Sequence, residues 1–234
     1  MSPTTPNVTN LLLDGLPRRE RERLLAEMER VDLQFGQILC EPESAYAQVY
    51  FPLTASISMV ALIDNREPLE IDLVGNEGML GATLALGVST VPLRGMVRGN
   101  GTALRMTASA FRAELRQCPE LSRTVQRYLY VLISQLAQAA GCMRFHEVDA
   151  RLARWLLTTH DCAHGDHFHL THKMLGGMLG VRRSGVTIAA GILQRRNLIR
   201  YTRGAIRVLD RRGLEAAACE CYDAGVRDYA QTLR

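Results

Sequence analysis

The stretch 119–145 carries the longest uninterrupted helical pattern in the chain, and any fold must find room for it. It opens on Pro119, which suits the first turn of a helix, and Leu121, Val125, Tyr128, Leu132, Leu136, Ala139 and Met143 then recur at intervals of three or four. At about 1.5 Å per residue such a helix runs about 40 Å. An apolar stripe on a helix longer than its own domain needs cover from outside. A second copy, packed as a coiled-coil seam along these seven residues, supplies it. The alternative is a helix packed on the chain's own strands.

What precedes that helix is of another texture. Pro17 and the following RRERERLLAEMER read as a short surface helix with Leu24, Leu25 and Met28 inward. From Val31 to Met106, short runs rich in Val, Ile, Leu and Tyr (QILC, QVYF, ISMVALI, LEIDLVG, GMVRG, ALRM) are separated by Pro, Gly, Asn and Asp. That spacing suits an antiparallel barrel or sandwich. Thr107 then caps a helix that stops before Pro119. With 234 residues, 47% hydrophobic and 22% charged, the class is a soluble α+β protein of one large or two modest domains. No run approaches the roughly 20 apolar residues of a membrane span. The start MSPTTPNVTN lacks the basic and apolar regions of a signal peptide. The expected setting is cytoplasmic, without a membrane partner. The cysteines at 40, 118, 142, 162, 219 and 221 show no CxxC pair and are read as reduced, ordinary thiols.

Residues 146–162 read as a further helix with Val148, Leu152, Trp155 and Leu156 on one face. The segment 159–173, THDCAHGDHFHLTHK, then holds five of the six histidines. His167 and His169, with His164 or Cys162, would offer three ligands of a zinc site. No fourth ligand closes the set at a recognisable spacing, and Gly165 and Asp166 form an evident turn. The stretch is therefore read as a connector, with His160 at a helix end where an imidazolium suits the dipole. No metal is expected.

The next segment, LTHKMLGGMLGVRRSGVTIAAGILQRRNLI, has helix-turn-helix spacing. Thr171 is the N-cap, while Met174, Leu175, Met178 and Leu179 face inward. Gly176 sits where the helices approach, and Gly180 occupies a turn that favours a left-handed backbone. Val181, Val186, Ala189, Ile192 and Leu193 continue the core, leaving Arg182, Arg183, Ser184 and Thr187 outward. NLIRYTRGAIRVLD then alternates about Arg203-Gly204 as a hairpin, the wing of a winged helix. Nine arginines and one acid, Asp210, lie in 182–212, within a formal net charge of +4 for the whole chain. That balance suggests a polyanionic partner, and the two glycines, the paired arginines opening the second helix and the basic wing together point to double-stranded DNA.

These residues resemble the Crp/Fnr family of bacterial transcription regulators, related to the cyclic-AMP receptor protein, along almost the whole chain. The resemblance implies a cyclic-nucleotide-binding-like jelly-roll barrel over 1–118, a dimerisation helix over 119–145 and a winged helix-turn-helix over 146–234. It implies a homodimer on palindromic promoter DNA, with RNA polymerase as a further partner. The recognition helix would open at Arg182, with Arg182, Arg183, Ser184 and Thr187 as the base-reading set. A guanidinium at Arg183 reads guanine through two hydrogen bonds. Ser184 stands where many members carry a glutamate that reads cytosine. Thr171, His172, Lys173 and Arg203 match positions on the DNA backbone.

The chain departs from the cyclic-nucleotide cassette of the family. Ala82 rather than a glutamate follows Gly81, and Arg94 is followed by Gly95. Cyclic AMP is not expected to bind, and the effector is left open. The N-terminal cysteine cluster of the iron–sulfur branch and a haem-ligand histidine in the barrel are both lacking, since Cys40 and His146 come first of their kinds. Without HExxH, a Gly-rich phosphate loop or GxSxG, an enzyme is not expected. The rival to a DNA-binding regulator is a protein-interaction module on the same fold.

Overall fold

The computed structural model describes residues 9–64, 68–163 and 167–233. Two short helices come first, α1 (Leu11–Asp14) and α2 (Arg18–Ala26). The cap of α1, Asn10, does two jobs. Its side-chain oxygen accepts from the Leu12 amide at 3.2 Å, while its nitrogen donates to the carbonyls of Pro52 and Gly78 at 3.1 and 2.8 Å. In α2, Leu24 is buried as expected but Leu25 is 40% exposed. One residue further along a helix is a rotation of about 100°, enough to carry Leu25 off the inner face. Met28 lies past the end of α2, partly buried against the core.

Seven strands follow: β1 (Glu29–Leu33), β2 (Ile38–Cys40), β3 (Gln48–Pro52), β4 (Ser56–Ala61), β5 (Leu69–Val74), β6 (Arg94–Gly99) and β7 (Gly101–Thr107). They pair antiparallel as β1-β7-β3 and β2-β6-β4-β5. Val49, Phe51, Ile57, Val97 and Ala103 are fully buried in the core of this barrel. Gly101 is required at the sheet corner, where a Cβ would lie 2.4 Å from the Ala55 amide nitrogen. Between β5 and β6 a single 3-10 turn, Ala82–Leu86, is bounded by Gly81 and Gly87, both left-handed at φ +100° and +77°.

Helix α3 (Ala108–Gln117) is capped by Thr107, whose hydroxyl accepts from the Ala110 amide at 3.1 Å. Helix α4 then runs over Pro119–Phe145, as the sequence pattern predicts. Its stripe, however, divides. Leu121, Val125 and Tyr128 are at most 1% exposed in the core of their own chain, so no second copy can reach them. The cause is close approach to the barrel: Tyr128 lies over Gly78, where a Cβ would come within 2.3 Å of its hydroxyl. Beyond that anchor, Leu132 and Ala139 are half-buried, while Leu136 and Met143 are exposed.

The remainder comprises α5 (Val148–Ala163), β8 (His167–His169), α6 (His172–Leu179), α7 (Arg183–Arg195), β9 (Ile199–Thr202), β10 (Ala205–Val208), α8 (Arg211–Ala217) and α9 (Cys221–Thr232). A second core, with Leu152, Leu156, Leu175, Val186, Leu193 and Leu214 fully buried, holds α5 to α8 together. Helix α9 returns along α4, with Tyr229 against Tyr128 and Asp228 accepting from the Ser134 hydroxyl at 2.6 Å. Helix α5 is fastened to the barrel by a hydrogen bond from the Trp155 indole to Glu70 at 2.6 Å. Arg98 pairs with the same carboxylate at 3.6 Å.

Burial, reinforced by the charges of Asp72 and Asp161, raises the Glu77 carboxyl from the ordinary 4.5 to about 7, although backbone amides of Gly75 and Glu77 itself pull it down. Between those values the unfolded chain has released this proton and the folded chain retains it. Stability contributed here is therefore lost as pH rises through the window. Glu77→Gln should flatten that fall by on the order of 3 kcal/mol. Urea unfolding at the two ends of the window measures it. An unchanged slope would mean that the carboxyl is already ionised in the fold.

Candidate nucleic-acid interface

Thr171 caps α6, its hydroxyl accepting from the Met174 amide at 3.2 Å. Gly180 ends α6 in the left-handed conformation at φ +63°, returning its amide to the carbonyls of Gly176 and Gly177. Gly176 is a close-approach residue: a Cβ there would stand 2.9 Å from the Val181 carbonyl oxygen, in the turn between the helices. The chain then enters α7 with Arg182 as N-cap and Arg183 as the first helical residue. The helix therefore opens one residue later than the expected Arg182. Arg182, Arg183, Ser184 and Thr187 are all exposed, while Val186, Ala189, Ala190 and Leu193 are buried behind them. One face of α7 is core and the other is cationic.

The hairpin β9–β10 turns at Arg203 and Gly204, both with positive φ (+48° and +88°), the mark of a two-residue primed turn. Arg195, Arg196, Arg200, Arg203 and Arg207 are exposed on and around it. This wing has a third strand, the one that His167 and His169 share. β8 pairs antiparallel with β10, His167 opposite Arg207 and His169 opposite Ala205. Part of the histidine-rich stretch is thus a sheet edge. His164, Gly165 and Asp166 lie outside the described residues. His160 Nδ1 lies 2.7 Å from an Arg211 guanidinium nitrogen. Arg211 also binds Asp161 and Tyr222, tying α8 and α9 to α5.

His172, expected on the DNA backbone, also packs within the domain. Its ring stacks on Tyr201 at 4.4 Å and 15°, and its Nδ1 is 2.9 Å from the Thr187 hydroxyl. Burial and the neighbouring Arg183 guanidinium hold its pKa below the ordinary histidine value. The stacked imidazole positions α6 against α7 and the wing. Thr187, shared with His172 and with the Arg183 carbonyl at 3.1 Å, is likewise held in place by its neighbours. Lys173 lines a groove between α6 and the barrel, along with Pro68, Glu70, Arg98 and Met174.

A cavity of about 210 Å³ lies between the barrel and α4, lined mainly by Met59, Val74, Met79, Leu80 and Leu132, with Tyr46, Asp72 and Thr83 as polar groups. Arg94 does not line it, its guanidinium being paired with Glu41 at 2.9 Å. Burial lifts the Asp72 carboxyl to about 6. Among the described residues no cationic side chain lines this cavity. A cyclic phosphate placed here would meet an acid without a guanidinium to offset it.

Residues 150–217 match the model of the Crp-like helix-turn-helix domain. Similar folds include FixK2 from Bradyrhizobium japonicum, 12% identical over 82% of this chain and 98% of that one, with a TM-score of 0.69. A Crp/Fnr-family transcriptional regulator from Thermus thermophilus is 20% identical over 81% and 98%, with a TM-score of 0.66. The c-di-GMP-responsive global regulator CLP of Xanthomonas campestris is 16% identical over 82% and 99%, at 0.64. No curated protein matches the chain significantly. The chain thus contains a Crp-like helix-turn-helix domain over these residues and shares its fold with Crp/Fnr-family regulators.

Because the atom facing Gly176 is backbone, it cannot move aside as a flexible side chain would. Gly176→Ala should destabilise the helix pair by about 1–3 kcal/mol, despite the better helix propensity of alanine. Denaturant unfolding of the full chain tests this, and a gain in stability would contradict the close approach.

Proposed function

We propose that this chain is a Crp/Fnr-type transcription regulator that binds a palindromic promoter site as a homodimer, with the first turn of α7 in the major groove. One observation carries the reading: Arg182, Arg183, Ser184 and Thr187 stand exposed together on the first turns of α7, beside a cationic wing. An α-helix fits the major groove, and side chains at its N-terminal end reach base edges. Arg183 and Arg182 are the guanine readers, while Ser184 and Thr187 make shorter contacts. Thr171, Lys173 and Arg203 position the domain on phosphates, which carry no sequence information. His172 supports them from behind. The cavity under α4 is built for an apolar effector, not for cyclic AMP.

The proposed dimer seam is the distal half of α4. Ile133, Leu136 and Met143 are 65%, 43% and 43% exposed. With exposed Ala140 between them they repeat at three, four and three residues, the spacing of a coiled-coil seam. Ile133 and Leu136 also border the cavity, so a second copy would cover its rim. Lysines at Ile133 and Leu136 should give a folded monomer in sizing experiments, with DNA affinity reduced at least tenfold. A wild-type chain that is monomeric at micromolar concentration would refute the seam.

Genome-derived DNA fragments retained by the protein supply the site for the base-reading test. Arg183→Ala should cost about 1–3 kcal/mol on the best site and relax the preference at one symmetric base pair per half-site. Lys173→Ala should weaken all sequences alike and lower the salt slope by about one per half-site. Equal loss on specific and random DNA in the Arg183 variant would assign it to phosphate. Absence of any salt-dependent DNA binding would favour a protein-interaction module.

A further inference from the structure

Four side chains from opposite ends of the C-terminal half converge where α4 ends. Cys142 and His146 are four residues apart, on the last turn and at the C-cap of α4, so they share one face. Cys219 and Cys221 flank Glu220 at the start of α9. The three sulfurs and one ring nitrogen all lie within 4.8 Å of one another. Cys142 Sγ is 3.6 Å from Cys219 Sγ, and Cys221 Sγ is 3.6 Å from His146 Nδ1. A disulfide would bring two sulfurs to about 2.05 Å. Tetrahedral zinc, with zinc–sulfur bonds of about 2.3 Å and zinc–nitrogen bonds of about 2.0–2.1 Å, sets edges of about 3.8 Å between sulfurs and about 3.6 Å from sulfur to nitrogen. The two measured separations of 3.6 Å match such edges, and all four ligand atoms lie within reach of one ion.

We propose that Cys142, His146, Cys219 and Cys221 form a closed structural zinc site. The surroundings agree with that chemistry in three ways. The cysteines are buried, at 1%, 7% and 7% exposure, and Ala150 packs against them. His146 Nε2 is 3.0 Å from a Glu220 carboxylate oxygen, which accepts the Nε2–H hydrogen bond and so leaves Nδ1 as the ligand. Three thiolates on a divalent ion leave one negative charge, and the Arg151 and Arg154 guanidinium groups are close enough to act on it. Three soft sulfurs with an imidazole favour zinc over a hard cation such as magnesium or calcium. All four positions come from protein, so none is open to a substrate. The ion would join the end of α4 to the start of α9 at the point where the chain turns into α5. It would thereby fix the angle between the long helix and the DNA-reading helices.

The test uses the full chain and does not depend on DNA binding. Protein made in zinc-supplemented medium should retain about one zinc per chain through dialysis, measured by atomic emission. Reconstitution with cobalt(II) should give the visible ligand-field bands of a tetrahedral thiolate site. Cys142→Ser, Cys219→Ser and His146→Ala should lose them, while Cys40→Ser, away from the cluster, should keep them. His146→Cys should still bind one ion with a shifted cobalt spectrum, which separates loss of a ligand from loss of the fold. Glu220→Ala should weaken the ion about 10–100-fold through the histidine alone. The proposal fails if wild-type protein holds no stoichiometric metal and gives no cobalt bands. It fails equally if the bands survive Cys142→Ser and Cys219→Ser, or if thiol-blocked protein contains a Cys142–Cys219 disulfide.

Discussion

Everything in this molecule is arranged about the docking of Tyr128, with Val125 and Leu121, from α4 into the barrel. These three are fully or almost fully buried, and Tyr128 fits only because Gly78 has no side chain to obstruct its hydroxyl. That contact fixes one end of a rigid rod of 27 residues. The fixed end is core and the projecting end carries Ile133, Leu136 and Met143 into solvent. A helix cannot present the same residues to its own barrel and to a second copy. The passage of its stripe from core to solvent follows from where the barrel stops.

Two further elements then set where the helix-turn-helix lies. The Trp155 indole reaches the buried Glu70 carboxylate on β5, and Gly177 of α6 leaves room for the Pro68 carbonyl, which would be 3.2 Å from a Cβ. On the other side, α9 folds back along α4 through Tyr229 and Asp228. Glu70 is a buried acid whose ionisation is opposed by burial but supported by Ser58, Trp155 and Arg98. An indole donor and a guanidinium from two different parts of the chain make it a junction, and breaking one partner would leave a buried group poorly compensated.

The interface itself rests on a small internal scaffold. The His172 ring lies between Tyr201 and Thr187, so α6, α7 and the wing keep one mutual geometry. Tyr201 adds hydrogen bonds to the Leu170 carbonyl and from its own amide to Gln194, both 2.9 Å. Arginines project from that frame. Their charge suits any polyanion, whereas reading base edges would depend on the geometry of the side chains behind them.

Local chemistry decided a large part of this fold in advance. Pro119 and the helical period of 119–145 gave α4 its limits, Thr107 and Thr171 capped their helices, and Gly180 and Arg203-Gly204 made their turns. Each depends on neighbours within a few residues, and so is written in the sequence. The outward set on α7 was equally legible, because a 3.6-residue period separates its faces. Partners distant in the chain were not. Histidine density drew attention to 159–173, yet β8 there is a sheet edge that only β10 makes visible. Cys142 and His146 share a helix face by their spacing, but nothing local says that Cys219 and Cys221 return to meet them. Likewise, the same periodicity suits a dimer seam and a barrel-packing face. Only the position of the barrel, with Gly78 beneath Tyr128, assigns the first half of α4 to the core, because burial is a property of the whole chain and not of any segment.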